Sequence, residues 1–197
     1  MSTETNSVGT RDFDPVSAEV IRMGLEEIVE EMATVLTRTS GSPALTEAQD
    51  FSTALFDHQG EHIAYSGYVT LHMASSLLAV QSLMAEVPVE TMRPGDAWLS
   101  NDPHVTGAMH PPDWGLVTPL FDGDELIGFA WSEAHLLDSG GITPGGFGVG
   151  ATDAYGECMR FPHIKLLSGG EYNVEVEHIL ANNVRVPVLV LNDIRSF

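Results

Sequence analysis

The 197-residue sequence predicts an α+β fold, a mixed and largely antiparallel sheet with flanking helices. Three observations carry this. Apolar residues recur at helical spacing from Val16 to Val35. Short apolar runs come in pairs around tight turns, at Asp57-His58-Gln59-Gly60 and at Asp122-Gly123-Asp124. A second apolar-faced helix pattern, Leu71 to Met84, separates the two pairs.

Residues 1–12 are polar and read as a disordered lead-in, leaving 13–197 as one domain. Asp14-Pro15 opens the first helix, because Asp caps and Pro suits the first helical position. Val16, Val20, Met23, Ile28, Met32 and Val35 mark one face up to Thr39, and Glu26, Glu27, Glu30 and Glu31 read as its solvated side. Gly41-Ser42-Pro43 breaks the helix. Phe51–Phe56 and His62–Tyr65 are strands. Ala97–Leu99 is a short strand after the turn Pro94-Gly95-Asp96. Trp114–Phe121 and Glu125–Trp131 form a mostly apolar hairpin. Residues Asp138 to Gly150, DSGGITPGGFGVG, form a long irregular loop over a site. Phe161–Leu166 is a further strand and Val174–Asn183 a helix. Leu191 to Phe197 reads as the start of another helix, which suggests a fragment or a split subunit.

Acids outnumber bases 28 to 8, for a net charge of −20. That balance argues against nucleic acid and anionic membrane as partners. The lone cysteine, Cys158, allows no intrachain disulfide. With no signal-like start and no span-length apolar run, a cytoplasmic protein is expected. No P-loop, dinucleotide fingerprint or GxSxG elbow is present.

The stretch SNDPHVTGAMHPPD, Ser100 to Asp113, is the densest in chemistry. His110 and Asp113 flank two prolines that pre-shape the backbone. His135 and Asp138 repeat the His-x-x-Asp spacing beyond the hairpin. If the hairpin pairs, His110, Asp113 and His135 meet at one end of it. Two imidazoles and a carboxylate are a ligand set for Mn, Fe or Zn. The alternative is a stiff structural loop with satisfied polar groups. His72, opening a helix, either faces this site or is a buried structural histidine. Asn101 and Asp102 read as turn openers or as supports for the site, and His104 as a loop residue or a substrate contact. His58, His62, His163 and His178 read as ordinary residues.

Several stretches together resemble the hydantoinase B/oxoprolinase family: DPVSAEVIRMGLEEIVEEM, EAQDFSTALFD, Met92-Arg93-Pro94-Gly95-Asp96, NDP followed by His-x-x-Asp, AHLLDSGGITPGG and ATDAYGECMRFPHIKL. The resemblance runs from about Asp14 to the last residue. It implies the N-terminal part of a longer chain, with metal ligands at Glu47, His110, Asp113 and His135. Glu47 rests on the resemblance alone. The implied activity is that of the metal-bearing subunit of an ATP-dependent hydrolase of cyclic amides, such as hydantoins or 5-oxoproline-like lactams. ATP would be held by a hydantoinase A-like partner, with a C-terminal partner chain completing the assembly. Asp138 or His72 would orient or deprotonate the attacking water. The alternatives are an ATP-dependent ketone carboxylase subunit, of the kind represented by the acetone carboxylase α subunit, and a truncated scaffold without turnover.

Overall fold

A computed structural model describes residues 14–146 and 148–197; the expected lead-in, 1–12, lies outside the described residues. Helix α1 is Pro15–Thr39, capped by the Asp14 carboxylate on the Val16 amide at 3.1 Å. A single turn, α2 (Pro43–Thr46), leads into strands β1 (Phe51–Asp57) and β2 (His62–Gly67). Helix α3 (His72–Glu86) and strand β3 (Ala97–Ser100) follow. Strands β4 (Asp113–Asp122) and β5 (Glu125–His135) form the long hairpin. Beyond it come α4 (Ala154–Glu157), β6 (Ile164–Ser168), β7 (Glu171–Tyr172), α5 (Val174–Asn183) and α6 (Pro187–Ser196).

The seven strands form one sheet in the order β2-β1-β5-β4-β3-β6-β7, and every pairing is antiparallel. The α+β class and the antiparallel hairpins therefore stand as expected from the sequence. Strand β5 runs four residues past the expected end at Trp131, because Ser132–His135 stay paired to β4 and β1 on both sides. Polar side chains there imitate the end of a strand. The expected strand Phe161–Leu166 sits later, at Ile164–Ser168, and the last helix starts earlier, at Pro187.

The sheet separates two packed layers. Helix α3 buries Ala79, Val80 and Leu83 against Ala54, Phe56, Trp98, Val117, Phe129 and Trp131. On the opposite face, α1, α5 and α6 cover Phe51, Leu55, Leu99, Trp114 and Leu116. Among the described residues no helix is long and apolar enough to cross a membrane.

His163, expected to be an ordinary residue, is buried where β6 meets α3. Its Nε2 lies 2.8 Å from the Ser82 hydroxyl, and that hydroxyl donates to the Ala79 carbonyl. Nε2 therefore carries the hydrogen, and Nδ1 is a buried nitrogen with no partner. Burial pushes the imidazole pKa down to about 4. The unfolded chain then binds a proton that the folded chain refuses. This contribution to stability is complete above the ordinary value of 6.5 and is lost as pH falls from there toward 4. His163→Gln is expected to recover about 2 kcal/mol of the stability that the parent loses between pH 7 and pH 5. Thermal melts of both proteins at the two pH values check this; equal losses would refute it.

Candidate metal centre

Side chains alternate faces along a strand, so residues two apart share a face. On the α3 face, β1 presents Phe56, Ala54 and then Ser52. Strand β5 presents Phe129, Trp131, Glu133 and His135, and β4 presents Val117, Gly115 and Asp113. The three adjacent strands thus run from apolar to polar toward the same end. There α3 begins, adding His72 and, one turn later, Ser75. The site is the polar end of a buried face.

Register places Asp113 opposite His135. The loop from Asn101 to Pro112 brings in His110. His110 Nε2 lies 3.0 Å from Asp113 Oδ1, His135 Nδ1 lies 3.2 Å from the same oxygen, and the two imidazole nitrogens are 3.2 Å apart. The rings stack, with centroids 4.9 Å apart and planes at 25°. Three donor atoms thus face one point, as the hairpin argument expected. On the other side of Asp113, Oδ2 lies 3.7 Å from His72 Nε2, which is itself 3.6 Å from Glu133 Oε1. His72 Nδ1 meets the Ser52 hydroxyl at 3.1 Å, and the Ser75 hydroxyl donates to Glu133 at 3.0 Å.

These neighbours set the charges. Burial works against the Asp113 carboxylate, but hydrogen bonds from His110, His135 and His72 hold its pKa far below the usual range. Its hydrogen bond with His110 raises that imidazole above the ordinary value. For His72, burial opposes the charged ring, yet Asp113 and Glu133 together raise its pKa. Burial dominates at Glu133 and pushes it up to about 7.

The other expected residues lie as follows. His72 is inside the cluster. Glu47 is exposed at the end of α2 and lies outside the donor clusters of the described residues. The acid of that segment whose charge reaches His72 and His110 is Asp50, whose backbone carbonyl accepts from the His135 amide. Asp138 is committed elsewhere. Its carboxylate accepts from the amides of Gly140, Gly145 and Arg185 and from Arg185 Nη1, at 3.1–3.3 Å. Those bonds overcome burial and hold its pKa below the usual range. It ties the glycine-rich loop down rather than facing the cluster with a free oxygen. That loop packs on the site: a Cβ at Gly146, at φ +73°, would meet Pro112 at 3.0 Å.

Asn101 is buried behind the loop. Its amide nitrogen donates to the carbonyls of Pro111 and Met159, both at 2.7 Å, and its oxygen accepts from the Phe161 amide at 2.9 Å. It supports the site, one of the two roles its sequence context allows. Sequence reasoning missed Glu133 and Ser52. A signal existed for Glu133: an acid two residues before His135 at the end of an apolar strand shares its face.

The donor set itself fits a metal. Two imidazole nitrogens and an ionised carboxylate oxygen lie within reach of one another in a part-buried pocket, with donor types suited to Mn, Fe or Zn.

The hydantoinase B/oxoprolinase family model matches residues 14–197. The B component of a putative D-/L-hydantoinase from Pseudomonas sp. (strain NS671) is 36% identical over 94% of this chain. The crystal structure of the ATP-dependent caprolactamase from Pseudomonas jessenii is 30% identical over 94% of the chain, with a TM-score of 0.87. The nucleotide-free structure of acetone carboxylase shares the fold at a TM-score of 0.86 and 20% identity, also over 94% of the chain. The chain spans about a third of these longer relatives: 32% of the hydantoinase component, 32% of the caprolactamase chain and 24% of the carboxylase chain. With nearly its whole length matched by the family model, the chain belongs to the hydantoinase B/oxoprolinase family.

Proposed function

We propose that this chain carries the metal centre of an ATP-dependent hydrolase that opens cyclic amides. The observation that carries the reading is the convergence of His110, Asp113 and His135 on one point at the mouth of the β4–β5 hairpin. The similarity to a hydantoinase component and to a caprolactamase supports the substrate class. ATP belongs to a separate hydantoinase A-like chain, which phosphorylates the amide oxygen and leaves a more electrophilic carbon for water to attack.

His110, Asp113 and His135 would hold a divalent ion, which when bound would supply Lewis acidity that lowers the pKa of water and stabilises charge developing on oxygen. The 47–50 segment provides the remaining carboxylate: Glu47 by its resemblance to the family pattern, Asp50 by its closeness to the histidines. The prolines 111 and 112 and the Asn101 hydrogen bonds keep His110 in place, so little order remains to be imposed when the ion binds. His72 acts from beside Asp113, and Asp138 acts by holding the loop.

Elemental mass spectrometry of the wild type and of His110→Ala/His135→Ala tests the centre. Close to one equivalent of Mn, Fe or Zn is expected in the wild type and none in the variant. Equal content in both, or none in wild type prepared with added metal, refutes it. Ring opening with ATP and an A-type partner, without bicarbonate, then identifies a hydrolase. Carboxylation of a ketone dependent on bicarbonate would identify the carboxylase reading instead.

A further inference from the structure

We infer that Ser52 and His72 form a positioning clamp that fixes the direction of the Asp113 carboxylate, and that Gly67 makes the room for it. The inference rests on the metal-centre reading and names residues outside the ligand set.

Asp113 has two jobs on its two oxygens. Oδ1 faces His110 and His135, while Oδ2 faces His72 Nε2 at 3.7 Å. A carboxylate that turned about its own axis would lose the first set of contacts. His72 can prevent that turn only if its own ring cannot turn. Four elements hold the ring. It opens α3; Ser52 of β1 contacts Nδ1 at 3.1 Å; the Tyr65 hydroxyl of β2 meets Ser52 at 2.9 Å; and Glu133 of β5 faces Nε2 at 3.6 Å. Ser75, one turn along α3, fixes Glu133 in turn.

The hydrogen on the ring follows from its partners. Nε2 faces Asp113 Oδ2 at 3.7 Å and Glu133 Oε1 at 3.6 Å, so a hydrogen there points at two carboxylates. The neighbouring trio His72, Asp113 and Glu133 is assigned as a support for one ion, because Ser52 engages His72 Nδ1 and Ser75 engages Glu133. Supports of this kind orient ligands and tune their affinity.

Gly67 is the independent mark. It pairs with Ser52 across β1–β2, and a Cβ there would lie 2.2 Å from Ser52 Oγ and 2.6 Å from Ser52 Cβ. Its φ is not in the left-handed region, so the glycine answers to space alone. Any larger residue displaces the hydroxyl from His72.

The test uses the full chain in two states. Without metal, imidazole 15N spectra are expected to show His72 protonated at Nε2. His72→Leu is expected to shift the His110 and His135 ring nitrogens, which sense Asp113 Oδ1. With zinc, chelator competition is expected to show 10–100-fold weaker binding in His72→Leu, a smaller loss in Ser52→Ala and Gly67→Ala, and recovery in His72→Gln. Melting temperatures identify any variant that fails to fold, and Ser52→Ala then carries the test. A bare Nε2 on His72, or unmoved His110 and His135 resonances in folded His72→Leu, overturns the clamp. So does a stoichiometry of two zinc ions that His72→Leu reduces to one. If the wild type binds no metal while the 15N results come out as expected, the metal-centre reading fails and the clamp stands.

Discussion

Asn101→Asp is expected to destabilise the chain more than Asn101→Ala, although aspartate matches the native shape. The alanine takes the side-chain partner from the Pro111 carbonyl and the Phe161 amide and leaves the Met159 carbonyl only the Cys158 thiol, in a buried site, which costs about 1–1.5 kcal/mol for each bond lost. At this size the total corresponds to a melting temperature lower by ~10 °C. The aspartate does worse because it turns donors into acceptors. The Pro111 and Met159 carbonyls, now bonded at 2.7 Å, would face a carboxylate oxygen in a buried site. Only proton uptake relieves that repulsion. Thermal melts of the two variants decide: a milder aspartate would mean that shape, not the amide's donors, holds this loop. Because Pro111 follows His110 directly, both variants are also expected to loosen the ligand loop.

Asp113→Ala is expected to abolish metal binding, a larger effect than any loss among the supporting residues. All three imidazoles of the site meet this one carboxylate, so no neighbour replaces it. The metal-free chain should also lose about 3 kcal/mol, the scale for hydrogen bonds to a buried charge. Asp113→Asn separates the two effects. It keeps the shape at the start of β4 but offers no anionic ligand, so zinc binding is expected to fall sharply while the melt changes little. Zinc titrations of the two variants check this, and zinc affinity unchanged in Asp113→Asn would remove Asp113 from the centre.

The paired strands and the long helices were legible because their signals are local: the Asp14-Pro15 cap, the tight turns and the apolar alternation. The His110, Asp113 and His135 cluster was legible for a related reason, since a hairpin brings together the residues just outside its two ends. Ser52 and Glu133 were not. Their roles depend on β1 lying against β5, a pairing between distant segments that no spacing announces. The polar residues Ser132, Glu133 and His135 at the end of β5 looked like a strand terminus because burial on both sides of a central strand is a tertiary fact. The family resemblance implied that Asp138 orients or deprotonates the attacking water. Its employment by Gly140, Gly145 and Arg185 came from a contact across the fold.

The same pairing sets an order of assembly. Phe51 of β1 lies against Ala134 of β5, while β5 lies between β1 and β4. The β1–β2 hairpin is made early but has no neighbour to dock on until β5 exists. During synthesis, the first third of the domain is therefore expected to wait with an apolar strand edge unpaired until the residues of the candidate site have left the ribosome. Contacts this distant in sequence close slowly, and a waiting edge invites aggregation. The centre is thus assembled by the step that closes the sheet, and refolding of the chain should restore the ligand cluster only in its slowest phase.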